Sequence, residues 1–380
     1  MHKPLAVVMG DMDLIRPLGL AGIPCCLVGD PNSEAARSRH VVSVITHTED
    51  GIADNPEPLL SKLVAAAERQ TQRPVLFYQH DPQLLFVSRN RDVLSQHFRF
   101  VMPDAAHVEN LVDKGQFQGM AEVLELPVPP GKVVAAAVGV VLPDLGIPFP
   151  VVAKPLWRNS AWTEPAKVVQ LDTPHDFRKA WRRWAVSKER YLVQQMIAGP
   201  ETAIESYHCY VDDDVKLVAE FTGRKIRTYP VHHGHSTSLT LTKVVDLLML
   251  GRRVVKQLGL RGVAKLDFKR DAAGELHLLE VNPRFNLWHH LGAVGGVNLP
   301  ALVYNDLTGA PRSERPDYKA GVRWCRFTND WKAARENGIS FSSWLPWAIG
   351  CQATSLTWDD PKPFAHSLWR TVSGKRRSAA

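Results

Sequence analysis

Five polar side chains fall within one segment that reads as two strands and a turn. They are Lys265, Asp267, Glu280, Asn282 and Arg284. Side chains of a strand alternate between its two faces, so the first two residues share a face, as do the last three. The residues between the two runs, Asp271-Ala-Ala-Gly274, are typical of a tight turn. We therefore predict a β-hairpin that carries all five groups on one side.

The length of the turn determines which residues face each other across this hairpin. A four-residue turn at 271–274 pairs Arg270 with Glu275 and places Lys265 opposite Glu280. The apolar neighbours expected to point into the core are Leu266, Phe268, Leu279 and Val281.

These five groups suit phosphoryl transfer assisted by a metal ion. Carboxylate and amide oxygens, which Asp267, Glu280 and Asn282 supply, are the ligands that Mg²⁺ prefers. Cations such as Lys265 and Arg284 suit the oxygens of a transferring phosphoryl group. A solvated strand face held by charge pairs is the simpler alternative, and the alignment of all five groups argues against it.

The elements that would support such a site begin with alternating strands and helices. Apolar runs at 5–9, 25–28 and 74–78 indicate buried strands, and helical patterns begin near Asp13 and cover 59–69. This alternation favours a parallel sheet with helices on both faces. A Gly-x-Gly-x-x-Gly turn is absent from the sequence, so dinucleotide binding is not supported.

Farther along, helical patterns predict a helix at 108–126 and another at 287–307, whose second part starts near Asn298. Apolar runs at 148–155 and 191–197 predict strands, and the first of them carries Lys154. From residue 313 onward the sequence is rich in tryptophan and proline, which predicts a small irregular appendage.

Length and composition describe an ordinary globular protein of two or three packed units. The 380 residues are 45% apolar and 22% charged, which excludes a disordered chain. No run approaches the roughly 18 apolar residues that span a membrane, and no signal peptide is recognisable, so a cytoplasmic location is expected. The five cysteines are odd in number and irregularly spaced, which indicates neither a disulfide framework nor a zinc site.

The chain carries 46 basic and 39 acidic residues, a net charge of +7. Such an excess is compatible with nucleic-acid binding. The basic residues are scattered, however, and no nucleic-acid-reading motif accompanies them. We therefore predict no nucleic-acid partner and no membrane partner, because a site for anionic phosphates explains part of the excess.

The motif Glu280-x-Asn282-x-Arg284, preceded thirteen residues earlier by Asp267, resembles the metal-binding hairpin of the ATP-grasp superfamily. Its Asp-Phe form is similar to D-alanine–D-alanine ligase, and its Asn-Pro-Arg ending is similar to carbamoyl phosphate synthetase and biotin carboxylase. The resemblance implies that Asp267, Glu280 and Asn282 hold two Mg²⁺ ions, or Mn²⁺ as a substitute, on the triphosphate of ATP. This likeness covers about residues 1–310.

Other segments resemble the parts of the superfamily that bind ATP. The residues implied to do so are Lys114, Lys154, Gln194, Gln195, Met196, Ile197 and Glu201. The two lysines would contact phosphates, the two glutamines would meet the amino edge of adenine, and Glu201 would accept hydrogen bonds from the ribose. The backbone of Met196 and Ile197 would meet the ring. Without the resemblance, 194–201 is merely a strand followed by a Gly-Pro turn.

Two loops also take part in the resemblance. Lys225, in a basic loop at 222–230, resembles the lysine of D-alanine–D-alanine ligase that reaches the γ-phosphate and the activated carboxylate. The segment 155–162 stands where the superfamily has a glycine-rich loop over the phosphates, but it contains no glycine. The side chains that would donate there instead are Arg158, Asn159 and Ser160.

A histidine cluster follows the basic loop and consists of His232, His233 and His235. Three interpretations remain open for it: a substrate loop that closes on the acyl phosphate, a plain surface loop, and a zinc site. In the first of these, a histidine is a candidate base that deprotonates the amine.

The resemblance implies an ATP-grasp fold of mixed α/β and α+β character. It consists of an N-terminal Rossmann-like α/β domain at 1–105, a central lid at 106–190, a C-terminal metal and phosphate subdomain at 191–312, and the appendage at 313–380. A homodimer through the N-terminal domain is compatible with the family likeness.

The activity that the resemblance implies is ATP-dependent ligation of a carboxylate to an amine. ATP would phosphorylate the carboxylate of an amino acid or peptide, and the amine would attack the acyl phosphate to give an amide, ADP and phosphate. The groups implied to neutralise charge are Lys154, Lys225 and Arg284, and Lys265 of the hairpin is the further catalytic candidate. Arg158, Arg224 and Arg227 would suit a second carboxylate on the substrate. Transfer to a non-amine acceptor, bicarbonate phosphorylation and a non-catalytic ATP-binding regulator are the alternatives.

Overall fold

The structure is a computed structural model and describes residues 3–48, 52, 55–156, 168–187, 190–231, 234–312 and 316–372. Three β-sheets organise these residues. The expectations for Arg158, Asn159, Ser160, His232 and His233 lie outside the described residues.

The N-terminal sheet is parallel and has helices on both faces, as the sequence predicts. Its strands, in the order β3-β2-β1-β4, are β1 (Ala6–Met9), β2 (Cys25–Gly29), β3 (Val41–Thr46) and β4 (Val75–Tyr78). The helices are α1 (Met12–Leu20), α2 (Glu57–Glu68), α3 (Asp81–Arg89) and α4 (Arg91–His97). Alternate residues of β1 enter different cores, Val8 on the α1 side and Val7 on the α2 side. Both faces are therefore buried, which explains the continuous apolar runs.

The helix predicted at 108–126 is instead two helices, α5 (Ala105–Val112) and α6 (Lys114–Val123). Asp113 breaks the run because its side chain accepts hydrogen bonds from the backbone N–H groups of Gly115 and Gln116, at 2.8 and 2.9 Å. An aspartate in this geometry is an N-cap and starts a new helix.

A second, antiparallel sheet has the order β5-β8-β6-β7. Its strands are β5 (Gly131–Ala135), β6 (Val151–Pro155), β7 (Val169–Leu171) and β8 (Arg190–Gln195), and helix α7 (Pro174–Ser187) accompanies them. Trp184 of α7 stacks on Tyr191 of β8 with ring centroids 4.0 Å apart, so the helix covers one face of the sheet. Strand β8 is one of the two central strands of this sheet, and it begins at residue 190, the last residue expected in the lid.

A third sheet has six antiparallel strands in the order β13-β12-β9-β10-β11-β14. The strands are β9 (Ile204–Val211), β10 (Leu217–Tyr229), β11 (His235–Thr242), β12 (Gly262–Arg270), β13 (Leu276–Asn282) and β14 (Arg323–Cys325). Its helices are α8 (Val245–Leu258), α9 (Trp288–Gly295) and α10 (Leu299–Thr308), the last capped by Asn298 as expected.

The register predicted for the β12–β13 hairpin is wrong. Arg270 pairs with Leu276 rather than Glu275, because the turn contains five residues, 271–275, instead of four. A β-bulge after Asp267 shifts the ladder by one more residue, so Asp267 rather than Lys265 lies opposite Glu280. A bulge places one extra residue in one strand and moves the residues beyond it to the other face. Leu278 is fully buried, whereas Leu279, expected in the core, lines a cavity.

The prediction of an irregular C-terminal appendage is also wrong. Besides β14, the segment contains α11 (Phe327–Glu336), α12 (Phe341–Ile349) and α13 (Lys362–Val372). It packs against helix α1, where Arg326 donates to Asp13 at 2.7 Å, and against the connection between β2 and β3, where Ser38 donates to Asp360. Among the described helices, none has both the length and the apolar character that a bilayer crossing requires.

Three buried histidines of β9 and α9 should make the fold acid-sensitive. Burial lowers the pKa of His289 to about 3 and that of His290 to about 4, and it holds the pKa of His208 well below 6.5. Below pH 6.5 the unfolded chain binds protons that the native chain does not, so stability falls as the pH falls. Each such proton contributes a slope of about 1.4 kcal/mol per pH unit.

Urea unfolding between pH 7 and pH 5 measures this slope. We expect the His289→Leu variant to take up one proton fewer than the wild type on unfolding. This difference does not depend on how the substitution changes stability at pH 7. An identical slope in both proteins would contradict the assignment.

Candidate active site

Eleven of the thirteen predicted site residues line one cavity of about 1040 Å³. They are Lys114, Lys154, Gln194, Gln195, Met196, Ile197, Glu201, Lys225, Asp267, Glu280 and Asn282. The cavity is formed between β6 and β8 of the four-stranded sheet and β10, β12 and β13 of the six-stranded sheet. Lys265 and Arg284 are not among the lining residues, but each contacts one of them, Asp267 and Asn282 respectively.

The acidic groups of the hairpin lie together despite the shifted register. Asn282 donates to Glu280 at 3.0 Å, and Lys265 Nζ lies 2.7 Å from Asp267 and 3.5 Å from Glu280. Opposite residues of an antiparallel pair share a face, so pairing Asp267 directly with Glu280 brings the two carboxylates closer than the predicted register would.

Asp267 lies between two ammonium groups. Lys265 contacts it on β12, and Lys225 Nζ approaches from β10 to 3.6 Å. Burial alone would raise the pKa of the Asp267 carboxyl, but Lys265 and Lys225 hold it well below its usual range. Burial would likewise lower the pKa of Lys265, and the carboxylates of Asp267 and Glu280 reverse that effect and raise it. Asp267 and Lys265 therefore stay ionised at neutral pH.

The lysines at the other side of the cavity have different surroundings. Lys154 Nζ donates to Gln194 at 3.0 Å, and Lys114 Nζ donates to the backbone oxygen of Leu156 at 3.3 Å. Burial lowers the pKa of Lys154, an effect that Glu280 opposes and Lys114 reinforces. A buried ammonium group such as that of Lys154 is stabilised by an anionic ligand.

The remaining predicted groups lie where strand β8 leaves the sheet. The backbone N–H groups of Gln195 and Met196 are already bonded, to Pro130 at 2.9 Å and Pro150 at 3.1 Å. Glu201 raises the pKa of Lys269, which burial lowers more strongly. Apolar side chains of Phe117, Leu192 and Leu279 also line the cavity. An apolar wall with a few polar groups is typical of a small-molecule site.

The structure adds residues that the sequence did not suggest. Asp81, at the start of α3, lines the cavity and binds Arg284, which also donates to the backbone oxygen of Gln79 at 3.1 Å and to Asn282 at 3.1 Å. Asn337 lines the cavity from the C-terminal segment. The position of Asp81 directly after a parallel strand was a usable signal, because ligands of such sheets bind at the carboxyl ends of the strands.

Arg227 does not supply an unpaired guanidinium for a second substrate carboxylate. It forms a bidentate pair with the fully buried Asp330, at 2.9 and 2.6 Å, and stacks on Trp347 at 4.1 Å. Arg224 and His235 are exposed on β10 and β11 and are not among the cavity-lining residues.

The hairpin residues fit a hard divalent cation that is bound to the phosphates of a substrate. Glu280 and Asn282 present oxygens to the cavity, and the Glu280 side chain is 53% exposed. Asp267 supplies a second carboxylate, also bonded to Ser206. Two protein carboxylates with water and substrate phosphates are a usual environment for Mg²⁺.

Comparison with known proteins agrees with this geometry. Residues 187–329 match the family described as ATP-grasp in the biosynthetic pathway with Ter operon. A D-alanine–D-alanine ligase of Pseudomonas entomophila is 25% identical over 192 residues, 47% of this chain and 56% of the relative. A D-aspartate ligase of Enterococcus faecium is 22% identical over 290 residues, 72% of this chain and 69% of the relative. The match thus spans little more than half of the D-alanine–D-alanine ligase.

Solved structures show the same fold. An L-amino acid ligase from Bacillus licheniformis superposes with a TM-score of 0.60 at 15% identity, over 83% of this chain and 75% of the other. An N5-carboxyaminoimidazole synthetase from Staphylococcus aureus, solved with ADP, gives 0.62 at 10% identity, over 84% and 80%. The predicted fold class is therefore confirmed. The resemblance to the ATP-grasp superfamily is also confirmed: residues 187–329 match an ATP-grasp family, and the chain is similar in sequence to D-alanine–D-alanine and D-aspartate ligases.

Proposed function

We propose that the protein is an ATP-dependent carboxylate–amine ligase that forms an amide through an acyl phosphate. The observation that carries this proposal is the arrangement of Asp267, Glu280 and Asn282 on one face of a hairpin, lining the same cavity as Lys154 and Lys225. Oxygen ligands beside cations suit a nucleoside triphosphate with its metal ions. The sequence relatives, which are D-alanine–D-alanine and D-aspartate ligases, support the same reaction class.

The cations of the cavity would bind and orient the reacting groups. Lys154 and Lys114 would hold phosphate oxygens, and Lys225 would neutralise the charge that develops as a substrate carboxylate oxygen attacks the γ-phosphorus and ADP leaves. The amine then attacks the acyl carbon, phosphate leaves, and the amine proton passes to solvent or a nearby base. Positioning and charge stabilisation do most of this work, so a nucleophilic side chain is not needed.

The hairpin would hold Mg²⁺ through Asp267, Glu280 and Asn282, and the metal would screen the triphosphate charge. Arg284 fixes Asn282 by donating to its side-chain oxygen and is itself fixed by Asp81. Lys265 keeps the buried Asp267 ionised. Lys265 and Arg284 would therefore act on the proposed metal ligands without lining the cavity themselves.

Turnover of Mg-ATP by the purified protein tests this proposal. Amino acids, peptides and other carboxylates are crossed with amines, and the nucleotide and phosphate products are identified. We expect ADP and phosphate to form only when both substrates are present. AMP with pyrophosphate would contradict the acyl phosphate. ATP binding without turnover across the panel would favour a regulator, and ADP formation without any amine would favour another acceptor.

A further inference from the structure

A chain of side-chain hydrogen bonds runs from helix α6 to Lys154. Glu122 accepts from the Gln118 amide nitrogen at 2.7 Å, and the Gln118 amide oxygen accepts from the Gln194 amide nitrogen at 2.7 Å. The Gln194 amide oxygen in turn accepts from Lys154 Nζ at 3.0 Å. Both glutamines are 3% exposed. Four side chains from three elements are thus joined in one line.

The direction of these hydrogen bonds is fixed at both ends. Lys154 can only donate, so the Gln194 oxygen must face it and the Gln194 nitrogen must find another acceptor. Glu122 can only accept, and the Gln118 nitrogen faces it and also donates to the backbone oxygen of Pro129 at 3.2 Å. A cation at one end and an anion at the other polarise every bond in the same sense, which strengthens the chain.

Gly131 of β5 leaves the space in which the two glutamines meet. It pairs with Gln194 in the sheet. A Cβ at this position would lie 2.9 Å from the side-chain amide carbon of Gln118 and 3.0 Å from Cγ of Gln194. Contacts this short require a shift of the amide pair, so the backbone is matched to the chain of amides.

We propose that Gln118 and Gln194 are positioning residues that hold the ammonium group of Lys154 at the phosphate end of the cavity. This inference rests on the proposed ATP site but not on the ligation reaction. It replaces the adenine contact that the sequence suggests for Gln194, because the Gln194 amide already serves Lys154 and Gln118. Recognition of the adenine base is then assigned to Gln195, the next residue, which also lines the cavity.

Positioning of Lys154 affects the binding of the phosphates, whereas an adenine contact affects the binding of the base. Binding affinities for a series of nucleotides therefore separate the two roles. Calorimetry with ATP, ADP, AMP, adenosine and GTP is compared for the wild type, Gln194→Leu and the matched control Gln195→Leu. We expect Gln194→Leu to weaken the binding of ATP and ADP by about tenfold, which is the effect of one hydrogen bond to a charged group. The affinity for adenosine should be unchanged. Gln195→Leu should weaken all adenine compounds alike and reduce the preference for ATP over GTP.

Gln118 provides a stricter test because it does not line the cavity. Gln118→Leu can act on a nucleotide only indirectly, and its side chain reaches Lys154 through Gln194, so we expect the same loss of affinity for ATP and ADP. The exchange Gln118→Glu with Glu122→Gln keeps an acceptor for Gln194 and should restore triphosphate affinity. Circular dichroism verifies the folding of each variant.

Either of two results would overturn the positioning role. The first is an equal loss of ATP, AMP and adenosine affinity in Gln194→Leu, which would make this residue an adenine reader. The second is an unaltered ATP affinity in a folded Gln118→Leu. A wild-type protein that binds no nucleotide would instead overturn the ATP site and the ligase proposal with it.

Discussion

Replacing Glu280 with glutamine will reduce substrate-dependent ADP formation by about a thousandfold. Its carboxylate presents the most exposed charge among the three proposed metal ligands, and it faces the cavity with its side chain 53% exposed. The amide cannot supply the charge that balances a divalent cation beside the phosphates. Because the side chain is half exposed, the fold should be unaffected.

The control for this variant is Glu275→Gln in the turn of the same hairpin. Glu275 is exposed and is not among the cavity-lining residues, so its activity should equal that of the wild type. ADP formation is followed by a coupled assay at saturating Mg-ATP. Substantial activity in Glu280→Gln would show that the metal assignment is wrong.

Removing the Asp330 carboxylate will destabilise the fold by about 3–5 kcal/mol, the usual cost of leaving the partner of a buried ion pair uncompensated. Asp330 is fully buried and accepts four hydrogen bonds, two from Arg227, one from Thr237 at 3.0 Å and one from Trp344 at 2.8 Å. Burial would raise the pKa of Asp330, but Arg227 and the other donors lower it. In Asp330→Ala these donors lose their common acceptor.

Equilibrium unfolding in urea measures this loss, with Asp317→Ala as the matched control. Asp317 pairs with Lys243 at the surface, where the Asp317 side chain is 81% exposed, so its removal should leave stability nearly unchanged. Adding Arg227→Met to Asp330→Ala should recover part of the stability, since no buried charge is then unpaired. Equal effects of the two aspartate substitutions would contradict the structural role of Asp330.

Local patterns predicted the face of the hairpin but not its register. Alternation alone placed Lys265, Asp267, Glu280 and Asn282 together, because it depends only on strand geometry. The bulge moves Leu279 into the cavity wall. The sequence around it, Leu-His-Leu-Leu, contains no residue that would mark the position of a bulge. The pairing of Asp267 with Glu280 therefore required the structure.

The hydrogen-bond and ion-pair partners of the site residues could not be predicted from the sequence, for a different reason. Asp81 and Arg284 are 203 positions apart, Arg227 and Asp330 are 103 apart, and Gln118 and Gln194 are 76 apart. A single sequence provides spacing within an element and no information on which elements meet. The helix break at Asp113 is a local signal of the opposite kind, since an aspartate before a helical run is a recognisable N-cap.

The contacts of the C-terminal segment with helix α1 have a consequence for the order of folding during synthesis. Asp13 and Arg16 are buried, yet their partners Arg326 and Asp359 follow 313 and 343 residues later. On the ribosome, we therefore expect Asp13 and Arg16 to lack these partners until nearly the whole described chain has emerged. Contacts of such long separation form late and slowly. We expect nascent chains that stop short of β14 to remain open at α1 and to be the forms that chaperones retain.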